Sequence, residues 1–273
     1  MIRTATASMR RTRTTAHLSP DPDRLAMRVW IVLPAYNEAA NLPVVIRRFR
    51  ELTEEAFRLE IRVIVVDDGS TDDTGPAAVS AAGPLPLEVI RHEPNRGLAQ
   101  TFMRGMTEAT ARTGPGDIVV CMDADNSHIP GQIPRMVQEI QEGRDVVIAS
   151  RYQPGAVIRG VPWVRRVLSR GMAILFRVIY PIQGVRDYSC GYRAYRAELL
   201  KSALAVRPDQ LFAADGFACM VGMLLHLERH DAVFGEVPLV LRYDQKQGAS
   251  KMKVGLTVFR TLRVLMRERL RPR

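Results

Sequence analysis

Asp123 and Asp125 stand two residues apart, directly after the apolar run Ile118-Val119-Val120-Cys121-Met122. Carboxylates at that spacing, beyond a buried strand, put two hard oxygen donors on one side of the chain. Mg²⁺ and Mn²⁺ favour such donors and usually share them with substrate phosphates. A metal held there can bridge the two phosphates of a nucleotide diphosphate and stabilise the charge that develops on the leaving group. Alone, a D-x-D match reads more readily as a turn with an aspartate cap. Two other acidic strand ends change that reading. Asn37-Glu38 follows the apolar run 29–33, and Asp67-Asp68-Gly69-Ser70 follows the run 61–66. Like charges repel, so three such clusters at one sheet edge are costly without a bound partner. The Gly69 turn also leads into a capped helix, and a carboxylate there can accept from a base or a ribose.

A second group is basic. Arg151, Arg165, Arg166, Ser169 and Arg170 follow the fifth apolar run, and arginine with a serine hydroxyl is phosphate-recognition chemistry. The same residues also fit a solvated basic helix face. A phosphate monoester, with a second pKa near ~6, is mostly dianionic at neutral pH and attacks without a general base. A hydroxyl acceptor would need a base. Asp215 is the candidate in that case, and a helix N-cap otherwise. His128 and His226 read as structural.

The elements that must position these groups alternate. Short buried strands are predicted over 29–33, 61–66, 87–90, 118–122 and 145–149. Helices are predicted after Asn41, over 98–111 and from Pro134. The pattern is an α/β domain with a mostly parallel sheet, whose ligands sit beyond the carboxyl ends of the strands. Further on, a helix is expected over 162–181 with both apolar and basic faces, then a strand over 189–195, a buried helix over 215–229 and a strand over 232–242. Residues 1–27 read as a disordered basic arm, 28–250 as a single catalytic domain, and 251–273 as a basic amphipathic helix suited to a membrane surface. No G-x-G-x-x-G or P-loop is present, which disfavours a nicotinamide enzyme or an ATPase. The cysteines, Cys121, Cys190 and Cys219, are odd in number and widely spaced, and read as reduced core thiols. A net charge of +10 asks for a polyanionic partner. No uncharged apolar run approaches the roughly 18 residues of a membrane span.

Seven motifs in order resemble family-2 glycosyltransferases of the GT-A fold. They are Pro34-Ala35-Tyr36-Asn37-Glu38, Asp67-Asp68-Gly69-Ser70, Asn95-Arg96-Gly97-Leu98, Asp123-Ala124-Asp125-Asn126-Ser127-His128, Ser150-Arg151-Tyr152, Asp187-Tyr188-Ser189-Cys190-Gly191-Tyr192-Arg193 and Gly248-Ala249-Ser250-Lys251. The last two are similar to the dolichol-phosphate mannosyltransferase branch. The resemblance implies a Rossmann-like, mostly parallel sheet with flanking helices. It implies that Pro34, Ala35, Tyr36, Glu38, Asp67, Asp123, Ala124, Asp125 and Lys251 hold a nucleotide-sugar donor. It places Mg²⁺ or Mn²⁺ on Asp123 and Asp125, with Ser127 standing where the family has a glutamine, a shorter group that would act through water. Arg151, Arg165 and Ser169 would receive the phosphate of a polyprenyl lipid, and either Arg242 or Lys246 would supply a second basic group. Catalysis would rest on Asp125 and Arg151, with Asp215 as base for a hydroxyl acceptor.

The expected activity is therefore inverting, metal-assisted transfer of a hexose, mannose from GDP-mannose first, to polyprenyl or dolichyl phosphate. UDP-glucose, or a soluble hydroxyl or polysaccharide acceptor, is the alternative. The expected location is cytoplasmic, peripheral on the cytoplasmic face of a membrane, held by the surface or by a membrane-protein partner. A nucleic-acid partner is not expected, because acidic strand ends repel phosphate unless a metal intervenes.

Overall fold

The computed structural model describes residues 27–56, 58–206, 216, 218–248, 261–264 and 266. The strands β1 (Met27–Ala35), β2 (Leu59–Asp67), β3 (Leu87–Arg91), β4 (Ile118–Cys121), β5 (Val146–Ser150), β7 (Arg193–Arg196) and β8 (Phe234–Pro238) form a seven-stranded sheet in the order β3-β2-β1-β4-β7-β5-β8. All neighbours are parallel except β7, which runs antiparallel between β4 and β5. A parallel ribbon of β6 (Val157–Arg159) and β9 (Val240–Arg242) lies apart from it.

Burial accounts for the central strands. Val29 to Leu33, Val63 to Val66, Val119, Val120 and Val146 to Ala149 are within a few per cent of complete burial. Strands covered on both faces read as continuous rather than alternating apolar runs. Helices α1 (Leu42–Glu55), α2 (Thr74–Ala82), α3 (Leu98–Arg112) and α4 (Ile133–Gln141) complete the crossovers. On α1, Leu42, Val45, Ile46, Phe49 and Leu52 form the buried stripe. Beyond them come α5 (Trp163–Ile179), α6 (Ala197–Val206) and α7 (Ala218–Glu228). The expected mostly parallel α/β sheet is present, and the three cysteines are free and buried.

Several elements depart from the sequence reading. The strand expected over 189–195 is ordered as a ladder only at Arg193–Arg196. The single strand expected over 232–242 is two strands in different sheets. Pro238, which has no N–H to donate, closes β8, and the chain crosses to β6 after Leu239. Met27, assigned to the arm, is the first residue of β1. The rest of that arm lies outside the described residues, and of 251–273 only 261–264 and 266 are described, as helix.

Candidate active site

Because β1, β2 and β4 are parallel neighbours, their carboxyl ends bring the three acidic loops to one edge. The first two loops are laced together. Asn37, at φ 52°, donates its N–H to Ser70 Oγ at 2.9 Å and accepts from the Thr71 N–H at 2.8 Å. Asparagine tolerates that left-handed conformation better than most residues. The Glu38 N–H reaches Thr74 Oγ1 at 2.8 Å, and the buried Glu38 carboxylate accepts from Asn41 Nδ2 at 2.7 Å. Pro34 and Ala35 are buried at the end of β1, whereas Tyr36 is exposed.

The aspartate pair after β2 divides its work. Asp67 accepts from the Ser70 N–H at 2.9 Å and from Arg91 Nη1 at 2.7 Å. Asp68 lies against His92 Nδ1 at 2.8 Å and accepts the backbone N–H groups of Arg96 and Gly97 at 2.9 and 2.8 Å. The Asn95-Arg96-Gly97 motif is thereby fastened to the end of β2, ahead of α3.

At β4, Asp125 accepts from Ser127 Oγ and from Lys246 Nζ, each at 2.5 Å. Burial alone would raise the Asp125 pKa, but the Lys246 charge and hydrogen bond hold it below the usual carboxylate range. Asp123 behaves oppositely: burial, then the charges of Asp125 and Glu38, push it up, with His128 and Lys246 opposing. His128 is buried, stacks on Tyr192 with ring centroids 5.2 Å apart, and sits 3.8 Å from the Asp123 carboxylate.

These residues fit a hard divalent cation. Asp123 feels the charge of Asp125, and Asp125 already holds a cationic group. Among the described residues no third His, Cys, Asp or Glu completes a protein-only cage. The donor set suits an ion that takes its remaining ligands from phosphate and water, as Mg²⁺ and Mn²⁺ do. Ser127 faces Asp125 as an orienting donor.

The basic group lies nearby. Arg151 is tied to Asp187 through its N–H, Nε and Nη2 at 3.0, 2.7 and 2.6 Å, and Nη2 also reaches Ser189 Oγ at 2.7 Å. Burial alone would raise the Asp187 pKa, since it favours the neutral acid; the Arg151 charge and hydrogen bonds overcome it and hold Asp187 below the ordinary value. The Arg151 guanidinium lies 5.5 Å from the Tyr152 ring centroid, and the Tyr152 hydroxyl meets Ser169 Oγ at 2.7 Å. Arg165 donates to the Tyr243 hydroxyl at 3.2 Å, and the Tyr243 ring lies 5.8 Å from Lys246 Nζ. Of these two tyrosines, singled out for no role by the sequence reading, Tyr243 joins the metal side to the phosphate side and Tyr152 ties Ser169 to Arg151. Tyr152 was within reach of that reading as the third residue of Ser150-Arg151-Tyr152. Arg242 is committed to Asp244 at 2.8 Å, so Lys246 is the basic group placed at the carboxylates. Asp215 and Lys251 lie outside the described residues.

Residues 30–204 match the model of glycosyl transferase family 2. The chain belongs to that family. The dolichol-phosphate mannosyltransferase of Pyrococcus furiosus is 32% identical over 242 residues, 88% of this chain and 63% of the relative. The chain therefore spans less than two thirds of that relative's length. The polyprenol monophosphomannose synthase of Mycolicibacterium smegmatis is 31% identical over 85% of this chain and 84% of its own. Among solved structures, the glucosyl-3-phosphoglycerate synthase of Mycobacterium tuberculosis, in complex with Mn²⁺, UDP and phosphoglyceric acid, superposes with a TM-score of 0.64. It is 23% identical, over 90% of this chain and 80% of that one, and the likeness is one of fold. The architecture is the GT-A fold that the motif order implied.

Proposed function

We propose that this glycosyltransferase moves a hexose, mannose from GDP-mannose first, onto the phosphate of a polyprenyl lipid at a membrane surface. The relatives' names favour that acceptor, and the observation that carries it here is the two-sidedness of α5. Its inner side holds Arg165 and Ser169 against Tyr243 and Tyr152. Its outer side leaves Trp163, Val167, Ile174 and Val178 exposed by 74, 61, 57 and 71%. At about 3.6 residues per helical turn, these apolar side chains align in one stripe with the exposed Arg166, Arg170 and Arg177 beside it. An apolar stripe flanked by arginine lies naturally in the plane of an anionic interface. A groove of about 600 Å³ opens at the far end of α5, lined by Ile174, Val178, Ile182 and Val185 with Arg177 and Arg186. A lipid whose phosphate rests at Ser169 would have apolar surface to follow. No helix among the described residues is long and apolar enough to cross a membrane.

The residue roles follow from charge. The loop residues Tyr36, Glu38 and Asp67, with Pro34, Ala35 and Ala124 shaping the edge, are assigned to the nucleotide. Arg151, fixed by Asp187, and Arg165 are assigned to the acceptor phosphate, with the Ser169 hydroxyl. A dianionic phosphate is its own nucleophile, so a single displacement forms the bond from phosphate oxygen to the anomeric carbon as the bond to the nucleotide diphosphate breaks, with inversion. Asp123 and Asp125 would hold Mg²⁺ or Mn²⁺, which supplies Lewis-acid stabilisation of the departing diphosphate.

The test is direct. Purified protein is incubated with polyprenyl phosphate in vesicles and radiolabelled GDP-mannose or UDP-glucose in separate tubes, with Mn²⁺, Mg²⁺ or EDTA. Label entering organic solvent with one donor and lost in EDTA is the expected result. Nucleotide diphosphate release that responds only to soluble hydroxyl acceptors overturns the lipid reading and makes Asp215 the base to examine.

A further inference from the structure

Lys246 stands out, because among the described residues arginine makes nearly every fixed ion pair. Of 39 basic residues only Lys201, Lys246, Lys251 and Lys253 are lysine. The buried acids Asp67 and Asp187, and Asp145, are all paired to arginines. Asp125 instead meets an ammonium on one oxygen, with side chains 14 and 12% exposed, while its other oxygen takes Ser127. Arginine binds a carboxylate with a rigid planar fork; lysine is a point charge on a rotatable stem.

The surrounding segment is latched down while that side chain is held by charge. The Arg242 N–H bonds the Ser127 carbonyl at 2.8 Å. Asn126 Nδ2 bonds the Gln245 carbonyl at 3.2 Å, and Arg48 bridges the side chains of Asn126 and Gln245 at 2.7 and 3.0 Å. Asn41 holds both backbone groups of Gln247 at 3.1 and 2.9 Å. Lys246 is thus carried by a backbone pinned at both sides, facing Asp125, Glu38 and the Tyr243 ring.

We propose that Lys246 is a resident counter-ion that keeps Asp125 in place in the empty site, yields its carboxylate oxygen to the divalent metal, and then pairs with the diphosphate of the incoming nucleotide. Metal alone must break the ion pair and strand a largely buried ammonium. Nucleotide gives that ammonium a new partner. Metal and nucleotide therefore bind as a coupled pair, each strengthening the other by the same factor. The inference rests on the donor side of the proposed function and is indifferent to the acceptor, so its failure and the failure of the lipid reading show in different assays.

Mn²⁺ binding is followed by the electron paramagnetic resonance signal of the free ion, for wild type and Lys246→Gln, alone and with GDP or UDP. Without nucleotide, the variant is expected to bind Mn²⁺ tighter, on the order of tenfold, and to gain less from nucleotide. Equal or weaker Mn²⁺ binding by the variant overturns the proposal. A second measurement needs no substitution. With four lysines in the chain, reductive methylation read by peptide mass spectrometry reports on Lys246 in the wild type. Lys246 is expected to be protected in EDTA, reactive in Mn²⁺ alone, and protected again in Mn²⁺ with nucleotide. Reactivity that does not rise with Mn²⁺ overturns the exchange.

Discussion

Asp187 has no exposed surface, and its carboxylate is filled by Arg151 and by the N–H groups of Ser189 and Cys190. Removing the charge would leave the Arg151 guanidinium enclosed without its counter-ion. Asp187→Asn is expected to cost about 3–5 kcal/mol, measured by denaturant unfolding at pH 7. The sign with pH follows from the depressed folded pKa. The pair's contribution is complete above the unfolded value of about 3.9 and is lost as pH falls through the folded one. The stability gap between wild type and variant is therefore expected to narrow progressively as pH falls below about 4; a gap that does not narrow there would contradict this account. Asp125→Asn is expected to slow nucleotide diphosphate release roughly 10²- to 10³-fold with the fold intact, since it removes charge stabilisation of the leaving group. Steady-state release in saturating Mn²⁺ checks it. Asp123 and Asp125 were legible in the sequence because their chemistry is carried by adjacent residues at a strand end. The ion pairs that fix the site were not. Lys246 lies 121 residues from Asp125 and Asp187 lies 36 from Arg151, and pairing at that distance is decided by the fold.

At the scale of elements, α3 shows how closely the layer over the site-bearing strands is packed. A Cβ on Gly105 would lie 2.4 Å from Val32 Cγ1 and 3.1 Å from Val66 Cγ2. Those valines belong to β1 and β2, whose ends carry Tyr36, Glu38 and Asp67. Gly105→Ala gains up to about 1 kcal/mol of helix propensity, but crowding a close-packed interior costs about 1–3 kcal/mol. A net loss is expected in the urea midpoint, and Val32→Ala in the same chain is expected to recover part of it, which an effect of helix propensity alone would not do. The parallel strands were legible because burial on both faces writes a continuous apolar run. The antiparallel β7 was blurred: only Arg193–Arg196 pairs, and Arg193 is a fully buried charge donating to the carbonyls of Met220 and Tyr188. An arginine inside a core strand gives no apolar signal. Residues 197–206, which the sequence reading left unassigned, fold as α6 directly after that strand.

Over the whole molecule, the +10 charge announced a polyanionic partner but not where it docks. The sequence reading gave the surface role to residues 251–273, most of which lie outside the described residues. The two faces of α5 were legible as apolar and basic, yet which one is covered depends on residues far along the chain. Phe176 packs on Tyr188, with ring centroids 6.0 Å apart, and Ala173 is buried beside it. That packing turns Arg165 and Ser169 inward and leaves Trp163, Val167 and Val178 outside. Two forces then act on separable side chains. Val167→Asn with Val178→Asn is expected to weaken binding to anionic vesicles at every salt concentration, because it removes apolar burial without adding charge. Arg166, Arg170 and Arg177 changed to Gln are expected to weaken it on the order of a hundredfold at low salt, at about 1 kcal/mol per charge near an anionic surface. That second loss should fade toward 1 M salt, where the screening length is about 3 Å. Both sets are exposed, so neither should move stability by more than about 0.5 kcal/mol. Co-flotation with vesicles across a salt series separates the two. Binding indifferent to the valine pair would detach α5 from the membrane, and with it the reason for placing a lipid phosphate at Ser169.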